Sequence, residues 1–354
     1  MLKQKIKILV TCAGGVLVRS LVQNLQRSTF FDYEVYGADT SKNILHPKGI
    51  FKKKFTVPNG NRSNYVEKII QIAKRENIHV IWPGSDSEVF AISKNINKFK
   101  KYDIKIPISP KKTIQNLMDK EKVYKILKKK HIRVPDYKIC NNQDDVLNNL
   151  RFYGYPKKTV IIKPTQSRGG RDLIVAAGRG EKSRWLGRGK RETLVQNEKK
   201  LHSILKNRFH SKIMVMPKLN LPAYDVDILS DAGNAMTIIT RKRINPNGIP
   251  FEGNKIIKNP RIESYCRKIS RALNLDSLHD IDLMSYKNEE VLLEVNPRPS
   301  GSLAAALEAG FPIFDATIAK ISLIFESDFS AFSIPASLTF TLKAFSIFFG
   351  VSFA

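Results

Sequence analysis

The sequence predicts an α/β domain followed by two α+β lobes, on three grounds. Strand and helix patterns alternate over the first hundred residues, as in a parallel sheet with helices on both faces. Between 157 and 177 two apolar runs flank the polar, glycine-containing stretch KPTQSRGGRD, which reads as a hairpin. Beyond Pro222, runs of adjacent strands with one helix among them predict an antiparallel sheet.

KIKILVTCAGG at 5–15 is a strand entering a glycine turn, and Leu17, Leu21, Val22 and Leu25 continue at helical spacing. EVYGADT is a second strand ending in Asp39, YVEKIIQIAKREN an amphipathic helix, and HVIWPGSDSE a third strand running into a polar loop. From KIPISPKK onward the pattern is helical, with Leu117, Val123, Ile126 and Leu127 on one face until HIRVPDY stops it. KKTVIIKP and LIVAA form the hairpin, and a helix around NEKKLHSILKNRF precedes the strand KIMVMPKL. DVDILSD and AMTIITRKR follow, then a helix around IESYCRKISRALNL and the strands DIDLMSY and VLLEVNPRP, joined at KNEE. The expected divisions are 1–110, 111–216, 217–325 and an apolar tail at 326–354.

The 354 residues are 42% hydrophobic and 9% aromatic, an ordinary apolar fraction that disfavours low-complexity disorder. Cys12, Cys140 and Cys266 form no CxxC pair, so a disulfide-framed secreted domain is excluded and a reducing, cytoplasmic setting is expected. The apolar run ILVTCAGGVLV is too short to span a bilayer and reads as a buried strand rather than a leader. The stretch 331–354 comes nearest to a membrane segment, but Pro335, Lys343 and its hydroxyl residues argue against one. Net charge is +28, concentrated at 94–133 (14 basic, 3 acidic) and 163–213 (14 basic, 4 acidic), whereas 281–354 is net acidic. A polyanion partner fits the basic middle, and a cation the acidic end. Solvated lysine-rich faces explain the excess equally well.

Asp282, Glu294 and Asn296 carry the strongest chemical signal. Side chains alternate along a strand, so Glu294 and Asn296 share a face, and the KNEE turn folds Asp282 back across from them. Three oxygen donors on one face suit Mg²⁺, although a polar solvent face has the same spacing. NPRPSG follows directly and puts Arg298 beside the proposed metal. In KPTQSRGGRD, Gly169 and Gly170 leave backbone amides open while Lys163, Arg168 and Arg171 supply charge, a combination suited to phosphate. The loop lacks GK[ST] and joins two strands, so it is not a Walker A loop, and an ordinary hairpin would also use glycine. TCAGGV lacks a full GxGxxG, so Asp39 at the end of the second strand does not make an NAD site.

The motifs MDKEKVYKILKKKHIRVP, VIIKPTQSRGGRDL, AYDVDIL and IDLMSYKNEEVLLEVNPRPSGS, in this order, resemble the ATP-grasp superfamily, specifically its carbamoyl-phosphate-synthase-like ligases, over about residues 5–325. The resemblance implies a Rossmann-like (pre-ATP-grasp) domain, an ATP-grasp small lobe with the phosphate loop and a large lobe with the metal site. It implies that Lys120, after Asp119, and Lys163 contact nucleotide phosphates and that Gln166, Ser167, Arg168, Gly169, Gly170 and Arg171 close over them. Asp282, Glu294 and Asn296 would bind two Mg²⁺, or Mn²⁺, with Glu294 bridging; Arg298, and less directly Arg241, would face the transferred phosphoryl group. Met216 and Lys218 occupy the hinge where adenine meets the backbone. That hinge departs from the family pattern, with Pro217 and Leu221 in the places where relatives carry the glutamate for ribose and its neighbouring motif. SDSE at 85–88 would line the acceptor site.

The expected function is an ATP-dependent, Mg²⁺-requiring ligase joining a small-molecule carboxylate to an amine, with a homodimer as the default that the resemblance implies. The alternatives are a nucleic-acid-binding protein on this scaffold, disfavoured by lysine runs without interleaved aromatics, and a degenerate ATP-grasp protein without turnover. No membrane partner is expected. Replacing Glu294 by Gln is expected to keep the fold or slightly stabilise it, because Asp282 and Glu294 would repel each other without metal.

Overall fold

The chain is described by a computed structural model over residues 3–44, 49–166, 172–181, 193–195, 197–206, 212–245 and 253–323. Ile6, Ile8, Leu9 and Val10 make β1 (Gln4–Thr11) apolar on both sides, the pattern of a strand covered on both faces. It pairs in parallel with β2 (Phe31–Asp39), whose other edge takes the short parallel strand β3 (Lys54–Thr56), and with β4 (Val80–Trp82). The order is β3-β2-β1-β4. On one face α1 (Val18–Gln26) buries Val18, Leu21, Val22 and Leu25. On the other, α2 (Tyr65–Glu76), α3 (Asp86–Lys94) and α4 (Ile96–Lys100) bury Ile69, Ile92 and Phe99 against Leu9 and Ile81.

The helical stretch after 110 is two helices rather than one, α5 (Lys111–Leu117) and α6 (Lys120–Lys129). Asp119 explains the break: its Oδ1 accepts the amides of Glu121 at 3.0 Å and Lys122 at 3.4 Å, so it caps a new helix instead of continuing the old one. The second sheet contains β5 (Lys138–Cys140), β6 (Val160–Pro164), β7 (Ile174–Ala176), β8 (Thr193–Val195) and β9 (Ile213–Pro217) in the order β5-β9-β6-β7-β8. β6 and β7 are the expected antiparallel hairpin, with Val160 opposite Ala176. α7 (Gln143–Phe152) and α8 (Glu198–Leu205) cover this sheet through Val146, Leu150, Leu201 and Leu205.

The third sheet holds β10 (Asn220–Asp231), β11 (Asn234–Arg243), β12 (Asn254–Ile257), β13 (Ser277–Tyr286) and β14 (Glu289–Asn296). It is antiparallel throughout, in the order β12-β11-β10-β13-β14. α9 (Pro260–Leu273) starts with proline at its first position behind the Asn259 cap, and it buries Ile262, Cys266, Ile269 and Leu273 against Val226, Ile228, Ile281 and Leu283. Val123, Tyr124 and Leu127 of α6 join the same core. Alternation along β10 and β13 therefore gives the opposite sheet face to Asp225, Asp227, Asp280 and Asp282.

After Asn296 the chain returns to the first sheet. A short turn at Gly301–Leu303, α10 (Ala304–Glu308) and α11 (Ile313–Leu323) pack there, with Phe314 edge-on to Trp82 at 4.5 Å between ring centroids. Asp315 of α11 accepts the hydroxyls of Ser28 at 2.9 Å and Tyr33 at 2.8 Å. Among the described residues no single helix is long and apolar enough to cross a membrane, though α10 and α11 pass such a test as a pair bent by 104°. The apolar tail at 326–354 lies outside the described residues.

Candidate functional site

The β13–β14 hairpin brings the expected metal ligands together. Its turn is made by Lys287 and Asn288, both left-handed at φ 52° and 64°, and the register sets Asp282 opposite Glu294 and Asp280 opposite Asn296. Asn296 Nδ2 donates to Asp280 Oδ2 at 2.9 Å and Asp282 Oδ2 at 3.3 Å. Asp225 of β10 lies opposite Asp282, and one carboxylate oxygen each of Asp225, Asp280 and Asp282 lies within 4.8 Å of the others. Burial and the crowding of Asp280 push the Asp282 carboxyl well above the usual range, against the pull of Arg243. Burial and then Asp225 and Asp227 push Asp280 up to about 7. This donor set is all oxygen, and a cation would relieve the crowding that raises Asp280 and Asp282, so the residues fit a hard divalent cation such as Mg²⁺.

Two lysines complete the arrangement. Lys120 begins α6 directly after the Asp119 cap and places Nζ 3.3 Å from Glu294 Oε1. Lys163, on β6, is only 3% exposed, and burial followed by the nearby Lys120 charge lowers its amine to about 7, against the attraction of Glu294 and Asp282. The Lys120 amide donates to Thr165 O at 3.0 Å, tying α6 to the end of β6. Gln166 Nε2 donates to Asp119 Oδ2 at 3.2 Å. Ser167, Arg168, Gly169, Gly170 and Arg171 lie outside the described residues. Met216 is buried opposite Ile161, and Lys218 pairs with Glu181 at 2.7 Å.

The two arginines sit differently. Arg241 is entirely buried, its Nε 2.7 Å from Asp227 Oδ2, its Nη1 3.6 Å from Asp225 and its Nη2 3.3 Å from Ser300 Oγ. Burial opposes the Arg241 charge, but Asp227 and Asp225 outweigh it and raise the guanidinium above its usual range. Arg298 Nε makes an ion pair with Asp86 Oδ1 at 2.9 Å, joining the segment after β14 to the first turn of α3, since 85–88 is a capped helix start and not the polar loop expected from the sequence. Asp39 accepts the amides of Gly14 and Ser41, each at 2.9 Å, so it serves its own turns.

Sequence reasoning missed Asp225, Asp227, Asp280 and Arg243, and it named Asp86 only within the segment expected to line the acceptor site. Arg243 Nη2 lies 2.6 Å from Asp282 Oδ1 and also pairs with Asp225, so it offsets part of the carboxylate charge. The period-two placement of Asp225 with Asp227 and of Asp280 with Asp282 was the available signal, since alternating acids between apolar residues put every charge on one face.

Two family models match adjoining stretches of the chain. One described as sugar-transfer associated ATP-grasp matches residues 100–212, and one described as ATP-grasp in the biosynthetic pathway with Ter operon matches 209–329. The carbamoyl phosphate synthase large chain of Pyrococcus furiosus is 23% identical over 272 residues, covering 71% of this chain and 24% of that protein. The corresponding protein of Thermotoga maritima is 24% identical over 258 residues, covering 68% and 21%. The chain thus spans about a quarter of the length of the curated relatives it matches. Among solved structures, N5-carboxyaminoimidazole synthetase from Staphylococcus aureus complexed with ADP superposes with a TM-score of 0.65 at 17% identity, covering 90% of this chain and 78% of that one. Biotin carboxylase from Campylobacter jejuni gives 0.63 at 16% identity, covering 89% and 70%. D-alanine–D-alanine ligase from Bacillus anthracis complexed with ATP gives 0.57 at 17%, covering 90% and 97%. The likeness extends across all three sheets and the fold is ATP-grasp.

Proposed function

Because the chain belongs to the ATP-grasp superfamily, we propose that it is an ATP-dependent, Mg²⁺-requiring ligase that activates a small carboxylate as an acyl phosphate for attack by an amine. The observation that carries this reading is the meeting of Lys120 and Lys163 with Glu294 and Asp282, where β6 and α6 approach the β13–β14 hairpin. Cations for phosphate and oxygen donors for a metal stand side by side there, as phosphoryl transfer needs. Asp282, Glu294 and Asn296 would hold Mg²⁺, which would supply charge neutralisation for the phosphoryl oxygens, with two ions the expected number and Mn²⁺ an alternative.

Lys163 is a buried amine at about 7, so an arriving phosphate favours its charged form and gains a cation in a site of low polarity. Lys120, balanced by Glu294, supplies the second phosphate contact. Arg298 faces the transferred phosphoryl group, which passes to the substrate carboxylate as ADP leaves; the amine then attacks the acyl carbon and expels phosphate. Positioning and charge carry these steps, and no protein nucleophile is required. Arg241 is enclosed by Asp225, Asp227 and Ser300, so its part is to brace the sheet face under the site. Small molecules are the proposed partners and the cytoplasm the proposed setting. The test is phosphate release from Mg-ATP across a panel of carboxylates and amino acids. Release that requires both a carboxylate and an amine is expected; binding of Mg-ATP with no turnover on any pair would abandon the ligase in favour of a nucleotide-binding role.

A further inference from the structure

Asp86 comes from the first sheet's side of the molecule and ends against an arginine of the third. The start of α3 that carries it is fixed by several independent contacts. Ser85 and Glu88 form a reciprocal capping box, and Glu88 Oε2 also accepts the Thr11 hydroxyl at 2.8 Å and the Gly84 amide at 3.2 Å. A side chain at Gly84 would come within 2.5 Å of Thr11 O, so the loop lies flush on the end of β1. Asp86 is thereby delivered at 8% exposure to Arg298 Nε, 2.9 Å away. Arg298 Nη1 donates to Pro299 O at 2.9 Å, and Nη2 makes no hydrogen bond among the described residues. The contact of Nε with Asp86 is an ion pair without a hydrogen bond, so the carboxylate restrains the guanidinium by charge while the bond to Pro299 O fixes Nη1.

We propose that Asp86 is the positioning residue for Arg298, its charge restraining the guanidinium at Nε while Nη1 donates to Pro299 O, so that Nη2 is presented to the transferred phosphoryl group. The proposal rests on the role given to Arg298 above. In this role Asp86 acts through Arg298, in place of the acceptor-lining part expected of the 85–88 segment. A mere clip between two sheets would affect stability without regard to what occupies the phosphoryl position, and this separates the two roles.

The experiment uses the full chain and measures binding of Mg-ADP alone and of Mg-ADP with fluoroaluminate, which stands in for the phosphoryl group in transfer, alongside thermal melting. Asp86→Asn should weaken the fluoroaluminate-dependent complex at least tenfold, leave Mg-ADP binding within twofold of wild type, and have no further effect when added to Arg298→Ala. Asp86→Glu, which keeps the charge at a different reach, should fall between wild type and Asp86→Asn, and it carries the comparison if the Asn variant does not fold. Wild-type fluoroaluminate binding by Asp86→Asn, where Arg298→Ala has lost it, overturns the proposal and leaves the ligase reading standing. An equal loss from Asp86→Asn in both backgrounds overturns it as well. Wild-type binding by Arg298→Ala removes the role assigned to Arg298, and the proposal with it.

Discussion

Lys163 is buried beside another lysine, and both facts decide what its replacement does. Burial makes its charge costly until an anion arrives, so its contribution is concentrated in the bound state. Lys163→Ala should therefore weaken ATP binding at least tenfold, about 1.4 kcal/mol, while the free protein melts no lower; calorimetric titration with ATP and a melting curve on the same variant check both parts. For Glu294 the ion pairs lead to a prediction opposite to the one the sequence suggests. Repulsion between Asp282 and Glu294 was the reason to expect a neutral or stabilising Glu294→Gln, yet Arg243 stands on Asp282 and Lys120 on Glu294. Losing the charge at 294 removes a carboxylate from beside both Lys120 and Lys163, so Glu294→Gln should cost about 1 to 2 kcal/mol of stability in metal-free protein. Turnover should fall by two or more orders of magnitude, roughly 3 kcal/mol of transition-state stabilisation. Urea denaturation in a chelator, set beside Mg-ATP-dependent phosphate release, measures the two effects separately; wild-type turnover in Glu294→Gln would remove the carboxylate from the proposed metal site.

At the level of elements, Asp119 does two jobs that one substitution exposes. Its Oδ1 caps α6, and its Oδ2 accepts from Gln166 at the edge of the phosphate loop. Asp119→Ala should cost about 1 kcal/mol from the lost cap, seen as a lower urea midpoint with unchanged slope. It should also weaken ATP binding, because α6 delivers Lys120 and the cap fixes where α6 begins. The same region shows what a sequence discloses and what it withholds. The hydrophobic face of Leu117, Val123 and Leu127 announces helix, but the capping geometry that divides it into α5 and α6 is a matter of one side chain competing for two amides. The β13–β14 hairpin was readable because period-two alternation runs through both strands and ends at a turn. β3, β8 and β12 have three, three and four residues, too few for a period to emerge, so they become strands only by pairing with longer neighbours. The ion pair of Asp86 with Arg298 had no local signal, since it depends on how the first and third sheets meet.

For the molecule as a whole, acid is the perturbation that the structure singles out, through His279. The imidazole is fully buried in β13, with Nε2 3.1 Å from the Ser109 hydroxyl, which itself donates to Asp276 O at 2.9 Å. Ser109 belongs to the segment leading from the first sheet into α5, so this contact ties that crossover to the third sheet. Burial lowers His279 from 6.5 to about 4, only partly opposed by the Ser277 carbonyl. The unfolded chain takes up the proton as pH falls through 6.5, whereas the folded chain resists it until about 4. The stability that neutral His279 contributes is complete above 6.5 and is lost progressively between 6.5 and about 4. A shift of this size corresponds to about 3 kcal/mol across the window. Carboxylates also titrate there, so the measurement is a comparison: urea midpoints of wild type and His279→Gln at pH 7.5, 6, 5 and 4. The variant should start less stable at pH 7.5 and lose less on acidification, bringing the two curves together near pH 4. Parallel curves over the whole range would mean that His279 takes up its proton in the folded protein as easily as in the unfolded one, and that the crossover at Ser109 is held by something other than a neutral imidazole.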